Sequence, residues 1–246
     1  MADSMHRKLI ESKGAVMAVL TTVAISIGGL VEIAPLYSEA LGPEPMEGIE
    51  PLTPLELAGR DIYVREGCYN CHSQMVRPFR DETLRYGEWT RAGEIVYDRP
   101  FQMGSRRIGP DLQRVGGKYP DAWHYEHMDD PRATSPGSIM PRYSWLKERQ
   151  IDPEAVQASM RALQTLGTPY TDEQIADAPA AIQRQGGEIV ARLEAGNLSA
   201  QPDDQIVALT AYLQQLGVAG RKAIQAQKDA AAALEAGTEI PASVED

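Results

Sequence analysis

The sequence predicts a mostly α-helical protein: one membrane-spanning helix at the N-terminus, then a helical domain. Three observations carry this. Residues 14–31, GAVMAVLTTVAISIGGLV, form an uncharged and mostly apolar run. Two later stretches, TPLELAGRDIYVREG and DPEAVQASMRALQTLG, set helix-start signals around apolar residues. The only two cysteines, Cys68 and Cys71, stand at the end of the first of these helices, with no strand-rich pattern around them.

Taken in order, residues 1–13 carry Arg7, Lys8 and Lys13. The 18-residue run that follows covers about 27 Å, close to the hydrocarbon thickness of a bilayer. A cleaved signal peptide has a shorter apolar region and a small-x-small cleavage site, and VEIAPLY offers no convincing one. Residues 14–34 are therefore expected to be an uncleaved anchor. Basic residues before the span and Glu32 after it place the N-terminus in the cytoplasm and the rest on the far side. Residues 35–54, rich in Pro, Gly and Glu, read as a linker.

A domain is expected over residues 55–217. Its first helix starts at Thr53, with Pro54 at the first helical position, Glu56 completing a capping box, and an apolar face of Leu55, Leu57, Ile62, Tyr63 and Val64. The next hundred residues read as loop-heavy, and a second helix spans 152–166. Residues 170–204 are polar and Ala-rich, with one or two short helices expected. In PDDQIVALTAYLQQLG, Ile206, Leu209, Leu213 and Leu216 share one side of a helix ending at Gly217. The Ala-rich tail, 218–246, is either an exposed helix or disordered.

The cysteine pair reads C-x-x-C-H, Cys68 to His72. A disulfide, half a zinc site, a thioredoxin-like motif and a c-type haem attachment all begin from such a pair. Structural zinc needs four ligands, and no second pair stands at ligand spacing. The redox motif belongs in a βαβ context that is missing here. Covalent haem matches best: thioether bonds from Cys68 and Cys71, with His72 as the proximal iron ligand. A single motif excludes a multi-haem chain, and the preponderance of Tyr and Trp over Phe suits packing around a cofactor.

A six-coordinate haem needs a second axial ligand. Met140, in the Pro-bracketed loop SPGSIMPRYSWL, is the preferred donor. His124 and His127 are the alternatives, read otherwise as polar packing or partner-facing residues. A Met/His pair raises the potential and leaves no substrate position, which favours electron transfer over catalysis. Pro110, in RRIGPDLQRVGG, offers a carbonyl that can accept the N–H of the proximal imidazole and orient it; an ordinary Gly-Pro turn is the other reading.

The net charge is −11, and residues 32–246 carry 21 Lys/Arg against 33 Asp/Glu. Such a chain is no nucleic-acid binder. It would attract a basic soluble donor, or the charge serves solubility alone.

The helix into CxxCH, the GPDL loop, the late Met-Pro loop and the helix LTAYLQQLG together resemble a class I cytochrome c. AGRDIYVREGCYNCHSQMVRPFRDETLRYG, GSRRIGPDLQRVGGKYPDAWHYEHMDDPR, SIMPRYSWL and LGTPYT resemble, more closely, the membrane-anchored mono-haem subunit (FixO/CcoO) of cbb3-type cytochrome c oxidases, over residues 10–170 and 203–217. The resemblance implies a fold of one transmembrane helix followed by a class I cytochrome c-type haem domain in the periplasm, on the bacterial inner membrane. It implies a non-catalytic subunit relaying electrons to the low-spin b haem of a catalytic haem-copper subunit, which reduces oxygen. The electrons come from a di-haem cytochrome c subunit or a soluble cytochrome c. By position, Cys68 and Cys71 carry the haem, and His72 and Met140 bind its iron. Gly104 and Ser105 fall where the catalytic subunit is met, with a calcium ion nearby. Residues 175–202 stand out as an insertion. The rivals are the cytochrome c subunit of a nitric oxide reductase, against which RPFRDETLRYGEW speaks, and a non-haem scaffold with a CxxC disulfide.

Overall fold

The computed structural model describes residues 7–37, 42–104 and 106–235. It divides into two compact units, Met1–Pro43 and Glu44–Asp246.

In the first unit, a short turn of π-helix, Arg7–Glu11, precedes α1, Gly14–Ile33, and a 3₁₀ turn, Ala34–Tyr37, follows it. α1 has a mean hydropathy of 2.1, and none of its residues is buried by the protein. At 20 residues it reaches about 30 Å, and among the described residues it is the one helix long and apolar enough to cross a bilayer. Its Thr22 hydroxyl donates to the Ala18 carbonyl at 2.9 Å, which satisfies that hydroxyl without breaking the helix.

The second unit is a bundle of nine further helices among the described residues: α2 Pro54–Arg65, α3 Arg80–Tyr86, α4 Asp121–Asp129, α5 Pro131–Thr134, α6 Pro153–Thr165, α7 Asp172–Ala176, α8 Ala178–Glu194, α9 Gln205–Gln215 and α10 Val218–Glu235. The only β pairing there is an isolated bridge between Gln150 and Asp204. The mostly α reading of the sequence holds. α2 starts as its residues dictate: Thr53 accepts from the Glu56 N–H at 3.3 Å, and the Glu56 carboxylate accepts from the Thr53 N–H at 2.9 Å. α6 is capped by Asp152 alone, whose carboxylate accepts from the Glu154 N–H.

α9 departs from its expected single apolar side. Every residue from Gln205 to Leu213 is buried, because α2 covers one side and α4 and α8 others. The α2–α9 crossing is close enough that a Cβ on Gly59 would stand 2.8 Å from Tyr212 Cβ, so only glycine lets the two helices meet there. Leu55, Leu57, Ile62, Ile206 and Leu209 fill the contact, each at 2% exposure or less. Burying each such side chain contributes about 1.5–3 kcal/mol.

Residues 170–204 hold a longer helix than the sequence suggests. α8 runs for 17 residues and buries Ile182, Ile189 and Leu193 along one stripe. Gly186 interrupts that stripe because Pro202 lies against the helix at that point. α10 buries Ala223 and Ile224, and its later turns are exposed.

Candidate functional site

The C-terminal end of α2 builds the turn that follows. The Glu66 N–H returns to the Ile62 carbonyl at 2.8 Å, Gly67 takes φ 74°, and the chain enters a 3₁₀ turn, Cys68–Asn70. The N–H groups of Cys71 and His72 both donate to the Cys68 carbonyl, at 3.1 and 3.0 Å. Two half-buried, unpaired thiols and an imidazole therefore leave one compact loop. Burial, with the Glu66 carboxylate adding to it, pushes the Cys68 thiol up to about 12. A thiol–disulfide exchanger needs the opposite, a thiolate held below its usual range, so the chemistry disfavours a redox CxxC.

His72 Nδ1 lies 2.8 Å from the Pro110 carbonyl oxygen. That oxygen only accepts, so Nδ1 carries the proton and Nε2 keeps its lone pair. Burial holds the imidazole below its ordinary pKa, with the Pro110 bond and Asp111 opposing in part, which favours the neutral, metal-binding form. Gly109 permits the approach: a Cβ there would stand 2.7 Å from His72 Nδ1.

Behind the ring, two loops are joined by a polar hub. Asp111, whose side chain is fully buried, accepts from Ser73 Oγ at 2.6 Å, the Met75 N–H at 2.8 Å and the Gln113 N–H at 2.9 Å. Arg107 donates to Ser73 Oγ at 2.8 Å, the Met75 carbonyl at 2.7 Å and Glu82 at 2.7 Å. Hydrogen bonds from Arg107 and Arg77, against the contrary effect of burial, hold the Glu82 carboxyl at about 2. Backbone bonds from Gly109 to Cys71 and from Leu112 to Ser73, 2.9 and 2.8 Å, complete the join. Sequence reasoning missed Ser73, Glu82, Arg107 and Asp111; the one trace was an acid placed directly after Pro110.

Met140 lies on a separate loop, partly buried against the main core. Its N–H donates to Ser138 Oγ and its carbonyl accepts from Arg132, both at 3.2 Å. Three residues on, the Tyr143 N–H returns to the Met128 carbonyl at 2.8 Å. Burial pushes the Tyr143 phenol up to about 12, with Cys68 and Cys71 contributing, which places that ring near the cysteine turn.

The two remaining histidines of this unit sit on α4. His127 stacks on Trp123 with centroids 4.4 Å apart, and its Nδ1 lies 2.6 Å from Thr134 Oγ1. Burial first, and His72 second, disfavour its protonated form. His124 is 1% exposed, neither of its ring nitrogens has a hydrogen-bond partner among the described residues, and burial lowers it to about 4. Gly104 has φ 64°, and Ser105 lies outside the described residues. Among the described residues no group of three or more His, Cys, Asp or Glu has metal-holding geometry.

A haem suits the donors that are present. Two thiols and an anchored imidazole with a free Nε2 leave one loop, and a thioether stands on another, against apolar side chains. Helices joined at close quarters behind such a turn define a c-type cytochrome domain. The chain belongs to a family described as cytochrome c oxidase, mono-heme subunit/FixO, whose model matches residues 6–219. Family membership implies a haem, a role as a subunit of cytochrome c oxidase, a catalytic subunit as partner and association with the membrane. No curated protein matches the chain.

Proposed function

We propose that this chain is the electron-transfer subunit of a cbb3-type oxidase, relaying electrons from a di-haem cytochrome c subunit or a soluble cytochrome c to the low-spin b haem of the catalytic haem-copper subunit. The observation that carries the reading is the anchored imidazole, His72 Nδ1 on the Pro110 carbonyl at 2.8 Å beside two free thiols. Cys68 and Cys71 would hold haem c covalently, and His72 and Met140 would bind its iron. Met140 is preferred to His127, whose ring is stacked and hydrogen-bonded elsewhere, and to His124, which is sealed in. Haem supplies reversible one-electron chemistry when bound. The protein's own residues favour the neutral form of the ligand ring and fix its tautomer. Oxygen is reduced in the partner.

Residues 14–34 anchor the chain in the bacterial inner membrane. Arg7, Lys8 and Lys13 before α1 favour a cytoplasmic N-terminus and a periplasmic haem domain over residues 55–217, with residues 35–54 as linker. A calcium ion at the contact with the catalytic subunit, near Gly104 and Ser105, belongs to the same proposal.

The test is to tag this chain, extract membranes in mild detergent, and record reduced and carbon monoxide spectra with oxygen uptake. Co-purifying b haems, one binding carbon monoxide, with oxygen consumption are expected. A lone c-type spectrum, or b haems with nitric oxide turnover and little oxygen uptake, would overturn the assignment.

A further inference from the structure

α4 carries a column of rings. Tyr119, just ahead of the helix, and Trp123 and His127 on it follow at the i, i+4 spacing that sets side chains one above another on a helix. Tyr119 and Trp123 stack with centroids 4.0 Å apart and planes 15° from parallel, and Trp123 and His127 do so at 4.4 Å and 11°. The three rings form one continuous π-stack. Its outer end meets solvent: the ammonium of Lys118, an exposed residue, lies 5.3 Å over the Tyr119 ring.

The inner end borders both ligand loops. His127 Nδ1 lies 2.6 Å from Thr134 Oγ1 in α5, and Arg132 of α5 donates to the Met140 carbonyl. The carbonyl of Met128, next to His127, accepts from the Tyr143 N–H. Beyond the effect of burial, His72 itself disfavours a proton on His127, which sets the two imidazoles near each other. The column is also held rigidly. Gln214 donates to the Tyr119 carbonyl at 2.9 Å and to Asp121 at 2.7 Å, and Arg192 donates to Asp121 at 2.6 Å. His124 stands edge-on to Tyr119 and Trp123, with centroids 6.2 and 5.3 Å away.

Packing alone does not account for this column. A stacked pair contributes about 0.5–1.5 kcal/mol beyond its burial. Yet α4 joins the buried core through Tyr125 and Met128, while all three stacked rings are only half-buried. His124 braces them with both ring nitrogens buried and unpartnered among the described residues. Parallel rings fixed between the surface and a redox centre offer what electron tunnelling needs, overlapping π orbitals in place of jumps between saturated side chains.

We propose that the stack Tyr119–Trp123–His127 is the route by which an electron crosses this domain between the surface at Lys118 and the haem. One electron passes from a reduced one-electron donor at the outer end to a ferric iron at the inner end. No bond forms or breaks, no proton moves, and the rings are not themselves oxidised. The proposal rests on the haem ligation proposed above and goes further by naming the residues that couple the iron to the surface.

The test uses the full haem-loaded chain in detergent. A photoactive ruthenium polypyridyl label is coordinated to a histidine introduced by Lys118→His, or by Arg161→His on an exposed part of α6, and haem reduction is timed after a flash. From the label at 118, reduction is expected to be several-fold slower in Trp123→Leu than in the parent, and restored in Trp123→Phe, which keeps a ring. The midpoint potential and reduced spectrum should not change, and the rate from the label at 161 should be that of the parent. Equal rates from 118 in the parent and Trp123→Leu would overturn the route. So would an equal loss from both labels, or a Trp123→Phe as slow as Trp123→Leu, since either marks a structural role. If Trp123→Leu loses its haem or shifts its potential, Tyr119→Leu at the outer ring decides on the same readings. A parent chain without covalent haem would instead overturn the ligation.

Discussion

The loop that carries Pro110 and the loop that carries Met140 are held in opposite ways. Pro110 is fixed by residues 30 or more positions away: Cys71, Ser73 and Met75 reach it directly or through Asp111 and Arg107. The Met140 loop is braced largely from within, by Ser138 and Arg132, and Ile139 beside the methionine is 82% exposed. An imidazole must be held in one tautomer and ring plane, which takes a rigid frame. A thioether has one soft donor on a flexible stem and tolerates a looser one. On the proposed ligation, folding stability is concentrated on the His72 side, and tuning of the iron would fall to the Met140 side.

The largest effect expected from this contrast is at Asp111. Asp111→Ala leaves Ser73 and two backbone N–H groups without their acceptor, removes an ion pair with Arg107, and should cost about 3–5 kcal/mol. For a domain of this size that is a fall of roughly 10 °C in Tm, read by thermal unfolding of the full chain in detergent. Met140→Ala comes next. It should leave haem attached and Tm little changed, lower the midpoint potential by on the order of 100 mV, and open a site for carbon monoxide. An unchanged potential would remove Met140 from the iron, and a Tm loss equal to that of Asp111→Ala would erase the contrast.

The smallest effect is a pH dependence. Glu82 is held at about 2 in the folded protein against an ordinary 4.5, so the unfolded chain binds its proton first as pH falls. Its stabilisation is complete above about pH 4.5 and is lost progressively down to about pH 2. Denaturation midpoints over that window should fall less steeply in Glu82→Gln than in wild type. Identical slopes would show that Arg77 and Arg107 do not hold the carboxylate in solution.

The parts of the molecule that were legible in the sequence are those written in local chemistry. Thr53, Pro54 and Glu56 announce α2, Asp152 and Pro153 announce α6, and the run at 14–31 announces α1. The α8 helix was hidden because Gly186 stands where an apolar residue would have marked its stripe, and a neighbouring backbone fills the gap. α9 read as one-sided because its small and polar residues, Ala208, Thr210 and Ala211, are buried by neighbours that no pattern within the helix reveals. At the site, Cys68, Cys71 and His72 share one motif. The hub of Ser73, Glu82, Arg107 and Asp111 joins residues up to 38 positions apart with no repeating period, so it left no comparable mark.

The crossing of α2 and α9 at Gly59 also bears on how the chain matures. The helix that ends in the cysteine turn finds its backing in residues 205–215, close to the end of the domain. During synthesis or passage across a membrane, the first of these helices emerges long before the last. Until α9 arrives, α2 has only α6 and α8 to pack against and lacks the neighbour that covers most of it. A fragment ending before residue 205 is therefore a substrate for proteolysis rather than a shortened carrier, and nearly the whole domain must be made before any of it is secure.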